Sequence, residues 1–351
     1  MDGRVKPRPI EPRPISLGLQ GGGSHGAFEW GVIDRLLDEK KLEIGAVTAA
    51  SAGAMNGACL ISGLAAGGRQ GAQETLAAFW RGVSNSDGRN GTVFGDSSVW
   101  TSMLTPDWLR ETPAWRWAES LTGALSPYEF NPFNLNPLRE VLEKTVDFEA
   151  VRRSPVKLYV SATGVRTGKA KIFKGESLTV EHLLASACLP TLFHAVEIDG
   201  EPYWDGGYLA NPPLWPLFYA DTPNDLLIVA LNPFIREDLP KTPSEIMDRL
   251  NEITFNAALS AELRAVAFVQ KLLDDGLLKE NARGRYRRMF VHAIGADGRL
   301  SDLTMATKFK TDWSFLTDLR ERGRQAADDW LAKNLKSVGV QSSVDLKAEF
   351  L

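Results

Sequence analysis

The sequence predicts an α/β fold in which helices cover a mainly parallel sheet. Two short apolar stretches, "ISLGLQ" (15–20) and "LEIGAVTAA" (42–50), are typical of strands. Each is followed by a helix-like segment, so the N-terminal part has the order β-α-β-α. This order implies parallel strands joined by helices that pack on the sheet.

The elements follow from the spacing of apolar residues. The first helix is predicted over "AFEWGVIDRLLDEK" (27–40), because Phe28, Val32 and Leu36 recur at helical intervals. The second is predicted over "AGAMNGACLISG" (52–63). The later strands are expected at 156–165, 170–175, 194–205 (a hairpin turning on Asp199-Gly200) and 225–233, and two long helices at 243–275 and near 312–335.

Two segments fall outside this alternation. The first 14 residues contain four prolines and mixed charge, and we expect a mobile arm there. Residues 84–134 are rich in Gly, Ser, Asn and Pro. This stretch is interpreted either as an ordered insertion with aromatic residues in its core or as an apolar lid or lipid-facing wall. Its tryptophans are Trp100, Trp108, Trp115 and Trp117.

Composition limits the class of protein. The net charge of −4, with both signs interspersed, gives no reason to expect nucleic acid as a partner. Cys59 and Cys188 lie in apolar surroundings and are interpreted as buried thiols in a reducing compartment. The N-terminus lacks the apolar core of a signal peptide, and no apolar run is long enough to span a membrane. We therefore expect a cytoplasmic protein, with peripheral attachment to a membrane surface left open.

Ser51 lies alone among small residues in "TAASAGAMNGA" (48–58), between a strand and a helix. A tight turn there would expose the hydroxyl, and the N–H groups at the start of the helix, including that of Ala52, would face a developing negative charge. The pattern is a G-x-S-x-G elbow with Ala49 at the first position and Gly53 at the last. The alternative is a serine that only caps the helix.

"GGGSHG" (21–26) matches G-x-G-x-x-G, which also occurs in dinucleotide-binding units. In such a unit the next strand ends in an acid that binds the ribose, whereas here Glu43 stands at the beginning of that strand. The loop is instead predicted to present the N–H groups of Gly22 and Gly23 to an oxyanion beside Ser51. A tight turn without a ligand is the structural alternative.

A serine nucleophile needs a base. None of the histidines has the surroundings of a triad, and His25 is expected to point outward from the helix start; the four are His25, His182, His194 and His292. Asp205, in "YWDGGYLANPP" (203–213), ends a predicted strand and precedes two glycines. Asp-Gly is often a hairpin turn, but Asp199-Gly200 already fills that role, which leaves Asp205 as the candidate base.

In chain order, "GGGSHG", "AASAG" and "DGG" resemble the patatin-like phospholipase family, which carries a glycine-rich loop, a serine elbow and a D-G-[AG] segment. The resemblance extends over residues 15–218 and includes "LLASACLPTLFHAVEIDGEPYWDGGYLANPPL" (183–214). It implies a three-layer α/β/α catalytic domain with a mainly parallel central sheet. No internal repeat or low-complexity linker follows it, so we expect the C-terminal strand and helices (219–351) to pack on the same core. The family usually has Arg where this chain has His25, and Gly where it has Ala49.

The resemblance also implies site residues and an activity. Ser51 is the implied nucleophile of a Ser–Asp dyad, Asp205 is its proton acceptor, and Ser24 is a further oxyanion donor beside Gly22 and Gly23. The remaining motif positions are Gly21, Gly26, Ala49, Gly53, Gly206 and Gly207. The implied function is a serine acyl hydrolase acting on an acyl-ester lipid, without metal or cofactor. The alternative is a non-catalytic or weakly active protein of the same fold that binds lipid or polyester granules. Oligomeric state is left open.

Overall fold

The computed structural model describes residues 11–85, 126–277, 287–295 and 298–350. Eight strands within these ranges form one sheet in the order β5-β6-β3-β2-β1-β7-β8, and β4 pairs with β3. The central strands β3, β2, β1, β7 and β8 are parallel, whereas β4, β5 and β6 join antiparallel. The strands are β1 (Arg13–Leu19), β2 (Leu42–Ala49), β3 (Lys157–Gly164), β4 (Lys169–Lys174), β5 (Val196–Ile198), β6 (Glu201–Asp205), β7 (Asp225–Ala230) and β8 (Phe290–Gly295).

Helices cover both faces of this sheet, as predicted. They are α1 (Gly26–Asp38), α2 (Ser51–Asn85), α3 (Pro127–Phe130), α4 (Pro137–Thr145), α5 (Phe148–Arg153), α6 (Val180–Ser186), α7 (Trp215–Tyr219), α8 (Pro243–Asp274), α9 (Trp313–Asn334) and α10 (Leu346–Phe350). Alternate residues of β7 enter opposite cores, with Leu227 and Val229 on the side of α1, α2 and α9, and Leu226 and Ile228 on the side of α7 and α8. The fold is therefore a three-layer α/β/α sandwich.

The predicted elements are found close to their expected places. The hairpin of β5 and β6 turns on Asp199 and Gly200, which both have positive φ, as a two-residue turn requires. The helix predicted over 52–63 continues to Asn85, but Gly67 and Gly68 break its helical geometry and divide it into two segments. β8, which contains His292, is a strand beyond those predicted from the sequence.

The C-terminal residues belong to the same core. β7 and β8 extend the parallel sheet, and α9 packs lengthwise on α1. The two helices approach so closely that a Cβ at Gly31 would collide with the main chain of Arg320. The buried carboxylate of Asp34 accepts hydrogen bonds from Arg320 and Arg324 at 2.6 and 2.5 Å. α9 thereby supports the helix that follows the glycine loop.

Several expectations concern residues outside the described ranges. Residues 1–10 of the predicted arm and residues 86–125 of the tryptophan-rich segment are among them, so neither interpretation of that segment is addressed. β1 already includes Arg13 and Pro14. Both cysteines are free and buried, as expected. No helix among the described residues combines the length and the apolar character needed to cross a membrane.

Candidate active site

The three sequence motifs meet at the carboxyl edge of the parallel strands. β1 and β2 are paired so that Leu19 lies opposite Ala49, and the glycine loop (residues 21–26) and Ser51 follow directly. Asp205 ends β6, which pairs with the adjacent strand β3 through Ala162. Neighbouring strand ends therefore carry the hydroxyl, the glycine loop and the carboxylate to one place, as expected at this edge of an α/β sheet.

Ser51 occupies a tight strand-to-helix turn. Its φ of +50° lies in the left-handed region, which a non-glycine residue adopts at a cost of about 1–3 kcal/mol. Its backbone N–H donates to the hydroxyl of Ser186 at 2.8 Å. Gly53 lets the start of α2 approach the strand, because a Cβ there would lie 2.6 Å from the carbonyl oxygen of Leu19. These contacts hold Ser51, a residue that is 8% exposed, at the elbow predicted from the sequence.

The glycine loop contacts Ser51 directly. A Cβ at Gly21 would lie 2.7 Å from the Cβ of Ser51, and the N–H of Gly21 donates to Asn211 Oδ1 at 2.6 Å. Gly23 has a φ of +58°, which favours glycine. Among the described residues, the N–H groups of Gly22 and Gly23 donate to no partner. They are therefore available to an anionic group at this edge of the sheet.

The remaining small residues of these motifs act through close packing. Gly26, at the start of α1, leaves room for Ala52, since a Cβ at Gly26 would lie 2.7 Å from that of Ala52. The hydroxyl of Ser24 is buried and has no hydrogen-bond partner in the described part of the chain. Ala49, where the elbow pattern has glycine, is fully buried at the end of β2.

Asp205 is buried beside Ser51, with 1% of its surface exposed. Its carboxylate accepts a hydrogen bond from the N–H of Gly207 at 2.7 Å, and the Ser51 hydroxyl is among the groups that lower its pKa. Its own backbone is fixed on both sides, since its N–H donates to the Cys188 carbonyl and its carbonyl accepts from the Thr163 hydroxyl, each at 2.8 Å. The carboxylate is thus held rigidly against the serine.

Burial sets the acidity of this carboxyl. Removal from water raises the pKa of Asp205 from 3.8 to about 7, because the charged form loses its hydration. The hydrogen bonds from Gly207 and Ser51, and the positive charge of Lys308, oppose this rise. The result is a carboxylate that takes up a proton near neutral pH.

The two glycines after Asp205 allow other chain segments to pack tightly against the site. A Cβ at Gly206 would collide with the carbonyl and hydroxyl of Ser161 on β3. A Cβ at Gly207 would lie 2.5 Å from Cε1 of Phe255 and 3.0 Å from Asp205 Oδ1. Both positions lie where another chain segment touches the main chain, so a side chain would displace Asp205.

The histidines contact groups other than Ser51. The expectation that His25 points outward is wrong: His25 is buried under the 3-10 helix Ala306–Phe309, and its Nε2 lies 2.8 Å from the Thr307 hydroxyl. Burial lowers its pKa to about 3, so the imidazole is neutral. His292 bonds to Asp225, at the start of β7, and His194 stacks on Tyr128.

His182 Nδ1 lies within hydrogen-bond distance of the Thr179 N–H and hydroxyl, at the start of α6. None of the four histidines hydrogen-bonds to Ser51 in the part of the chain that the structure describes. The same ranges contain no cluster of three His, Cys, Asp or Glu side chains that could hold a metal ion.

Comparison with known proteins identifies the family of this chain. A family model described as patatin-like phospholipase matches residues 17–218, which is more than half of the chain. The chain belongs to the patatin-like phospholipase family. A search of curated proteins found no match. Membership places the chain among lipolytic hydrolases.

Two solved structures are similar over most of this patatin-like chain. VipD from Legionella pneumophila is 14% identical, with 92% of this chain and 67% of VipD covered and a TM-score of 0.44. ExoU of Pseudomonas aeruginosa, solved in complex with SpcU, is 14% identical, with 93% of this chain and 53% of ExoU covered and a TM-score of 0.35. This chain thus spans about half the length of ExoU.

Three neighbours of Ser51, Gly21 and Asp205 in this patatin-like chain were not predicted from the sequence. Ser186 holds the N–H of Ser51, Asn211 holds the N–H of Gly21, and Thr163 holds the carbonyl of Asp205. Asn211 and Ser186 stand within the quoted stretches 203–213 and 183–214, but a lone amide or hydroxyl in a loop carries no signal of its partner. Only the pairing of distant strands brings these groups together.

Proposed function

We propose that this chain hydrolyses acyl esters of lipids, with Ser51 as the nucleophile and Asp205 as its proton acceptor. The observation that carries the proposal is the place of the buried Asp205 carboxylate at the strand end beside Ser51, whose hydroxyl lowers its pKa. A hydroxyl is a weak nucleophile unless a neighbouring base takes its proton. Asp205 is the neighbouring carboxylate to which we assign this role.

The raised pKa of Asp205 fits the role of proton acceptor. An ordinary aspartate is a poor base for a hydroxyl, and burial that raises the pKa of Asp205 to about 7 makes it a stronger one. In the proposed first step, Ser51 Oγ attacks the ester carbonyl while its proton passes to Asp205. The alcohol then leaves with a proton from Asp205, and water activated by the same carboxylate hydrolyses the acyl-serine.

The tetrahedral oxyanion needs hydrogen-bond donors that are not already used. We assign this role to the N–H groups of Gly22 and Gly23, with the N–H of Ala52 at the first turn of α2, where helical N–H groups lack partners inside the helix. The buried, unpartnered hydroxyl of Ser24 is a fourth candidate. The N–H of Ser51 itself is excluded from this set because Ser186 accepts it.

The experiment compares esterase activity and covalent labelling in matched variants. A panel of short nitrophenyl esters, phospholipids and triacylglycerols is assayed with wild type, Ser51→Ala and Asp205→Asn, and each protein is treated with a fluorophosphonate. Ser51→Ala should abolish both turnover and labelling. Asp205→Asn should lower turnover by about 10²–10⁴-fold, the range of a lost general base, with the fold intact.

Two controls make the result specific. Asp199→Asn changes the exposed Asp-Gly turn of the same hairpin and should leave turnover unchanged. His25→Ala should reduce turnover modestly at most, because His25 bonds to Thr307 and not to Ser51. Labelling without turnover on any ester would favour a lipid-binding protein of the same fold, and near-normal turnover in Asp205→Asn would reject Asp205 as the base.

A further inference from the structure

The 3-10 helix Ala306–Phe309 forms a cover over the glycine loop. The Thr307 hydroxyl lies 2.8 Å from His25 Nε2. The carbonyl of Lys308 lies so close to Gly23 that a Cβ there would collide with it. A segment about 100 residues after Asp205 in sequence thus packs against the main chain of the predicted oxyanion donors.

The side chain of Lys308 turns inward from this cover. Its ammonium donates to Asn251 Oδ1 at 2.7 Å and to Asn232 Oδ1 at 3.0 Å, and it lies 5.2 Å from the centre of the Phe255 ring. Both oxygen partners are neutral amides. Among the described residues, no carboxylate is within ion-pair distance of this ammonium, so its charge is not cancelled by direct contact.

Phe255 connects this charge to the dyad. The ring that faces the Lys308 ammonium also packs on Gly207, whose N–H is bonded to Asp205. The ammonium and the turn that holds the carboxylate therefore both lie beside one apolar region, the Phe255 ring. Attraction between opposite charges is stronger across such a region than across water, because the effective dielectric constant is lower.

The other charged groups that face Lys308 already have partners. Glu252, on α8, is bonded to Arg236 and Arg249. Asp248, on the same helix, accepts the N–H of Met305 at 2.9 Å. His25 is neutral. Asp205 also acts on Lys308, after Glu252 and Asp248, and in the part of the chain that the structure describes no cation is bonded to its carboxylate.

The space beside Lys308 is too small for a lipid. The cavity lined by His25, Asn232, Asn251 and Lys308 has a volume of about 20 Å³, which is room for about one water molecule. A direct role in substrate binding is therefore excluded, and any influence of Lys308 on the reaction passes through the groups it faces.

We propose that Lys308 is a positioning residue: its ammonium, which faces the Phe255 ring that packs on the Asp205-Gly206-Gly207 turn, stabilises the ionised form of Asp205, and its main chain holds Gly23 in the glycine loop. This inference rests on the proposed function for its catalytic meaning. Without the ammonium, a smaller fraction of Asp205 would be ionised at neutral pH and able to accept the proton of Ser51.

The proposal has a consequence for the pH dependence of activity. Burial lowers the pKa of Lys308 to about 8, and it raises that of Asp205 to about 7. Activity should rise as Asp205 loses its proton and fall as Lys308 loses its own. Removing the lysine charge should move the acidic limb to higher pH, because the carboxylate then lacks its stabilising charge.

The test measures the titration of Asp205 directly. Protein labelled with ¹³C at the aspartate carboxyl carbon is titrated by NMR, and the Asp205 signal is assigned by its loss in Asp205→Asn. In Lys308→Met, which keeps an unbranched side chain one atom shorter and removes the charge, the pKa of Asp205 should rise by about half a pH unit or more. The acidic limb of kcat/KM should move by the same amount. Lys310→Met, a change of an exposed lysine two residues away, should move neither.

A second variant covers the case in which Lys308→Met does not fold. Asn251→Asp places a carboxylate against the ammonium, so the pKa of Asp205 should again rise and the alkaline limb of kcat/KM should move up with the pKa of Lys308. An Asp205 signal that titrates at the same pH in wild type and in the folded variants would overturn the proposal. The NMR titration does not need turnover, so the test stands even if Ser51→Ala shows that the proposed function is wrong.

Discussion

The hydroxyl oxygen of Ser186 lies 2.8 Å from the backbone nitrogen of Ser51 and accepts its N–H. Ser186 ends α6, and Ser51 stands between β2 and α2, so the bond joins two elements that are 135 residues apart. Both groups are buried. The bond restrains a residue whose left-handed backbone is intrinsically unfavourable, and it keeps that residue's N–H away from the substrate.

Ser186→Ala should therefore weaken both stability and turnover. The change leaves a buried N–H without an acceptor, which costs about 1–3 kcal/mol in the free energy of unfolding. It also allows the turn at Ser51 to relax, and we expect kcat to fall about tenfold, since a small displacement of reacting groups has a large effect on rate. Urea unfolding and ester turnover give the two values.

The matched control for this change is Ser177→Ala. Ser177 is exposed, and its hydroxyl donates to the Lys174 carbonyl at 3.2 Å. Its removal should alter the free energy of unfolding by less than about 0.5 kcal/mol. If Ser186→Ala behaved like this control, the bond to Ser51 would have no part in holding the elbow.

The raised pKa of Asp205 makes a separate prediction about stability. The folded protein binds a proton on Asp205 up to a pH of about 7, whereas the unfolded chain releases it near the ordinary value of 3.8. Between these values the folded state binds more protons, so the contribution of this group to stability is lost as the pH rises. Above pH 7 the wild type therefore carries a buried negative charge on Asp205, whereas an asparagine amide at this position would be neutral.

Asp205→Asn should consequently be more stable than wild type at pH 8. Each pH unit between the two pKa values corresponds to about 1.4 kcal/mol, and the amide gives up part of the bonding to Gly207 and Ser51, so a gain of about 2–4 kcal/mol is expected. At pH 4 the gain should largely disappear. The measurement is the difference in unfolding free energy between the two proteins at both pH values.

Taking the difference in unfolding free energy between the two proteins cancels the contribution of other groups that titrate in the same pH range. Burial also raises the pKa of Glu262 to about 7, but this residue is present in both proteins and cancels. Equal stability of the two proteins at pH 8 would mean that Asp205 carries no penalty for its charge in the folded state.

Local sequence signals were sufficient to predict where in the fold the groups that adjoin glycine or a strand end would lie. Ser51, the glycine loop and Asp205 each follow a strand with small residues beside them, and parallel pairing of β1 with β2 was enough to bring the first two together. The hairpin at Asp199-Gly200 was found for the same reason, since its turn chemistry is local.

Contacts between distant segments could not be predicted in this way. His25 was expected to face outward, because nothing near it in sequence indicates that Thr307 would cover it. Lys308 stands in an ordinary polar stretch, and its burial depends on how α8 and β7 place Asn251 and Asn232 around it. The sequence shows the glycine pair Gly67–Gly68 at the break in α2, but it did not predict the break because helical spacing continues on both sides.

The contact between α1 and α9 gives the last prediction. A Cβ at Gly323 would collide with the carbonyl of Phe28, and one at Gly31 would collide with that of Arg320, so each helix touches the main chain of the other. Alanine at position 323 would gain about 1 kcal/mol in helix propensity, whereas overpacking against a rigid carbonyl costs about 1–3 kcal/mol or more.

Because the obstacle is main chain, the steric cost should exceed the gain, and Gly323→Ala should lower the free energy of unfolding by about 2 kcal/mol. Gly67→Ala is the control, since a Cβ there meets nothing within 4 Å. Turnover should also fall in Gly323→Ala, because α1 begins at the glycine loop and must shift to admit the methyl group. A variant as stable and as active as the control would show that α9 can move away from α1 without disturbing the site, and the C-terminal helix would then not be part of the catalytic core.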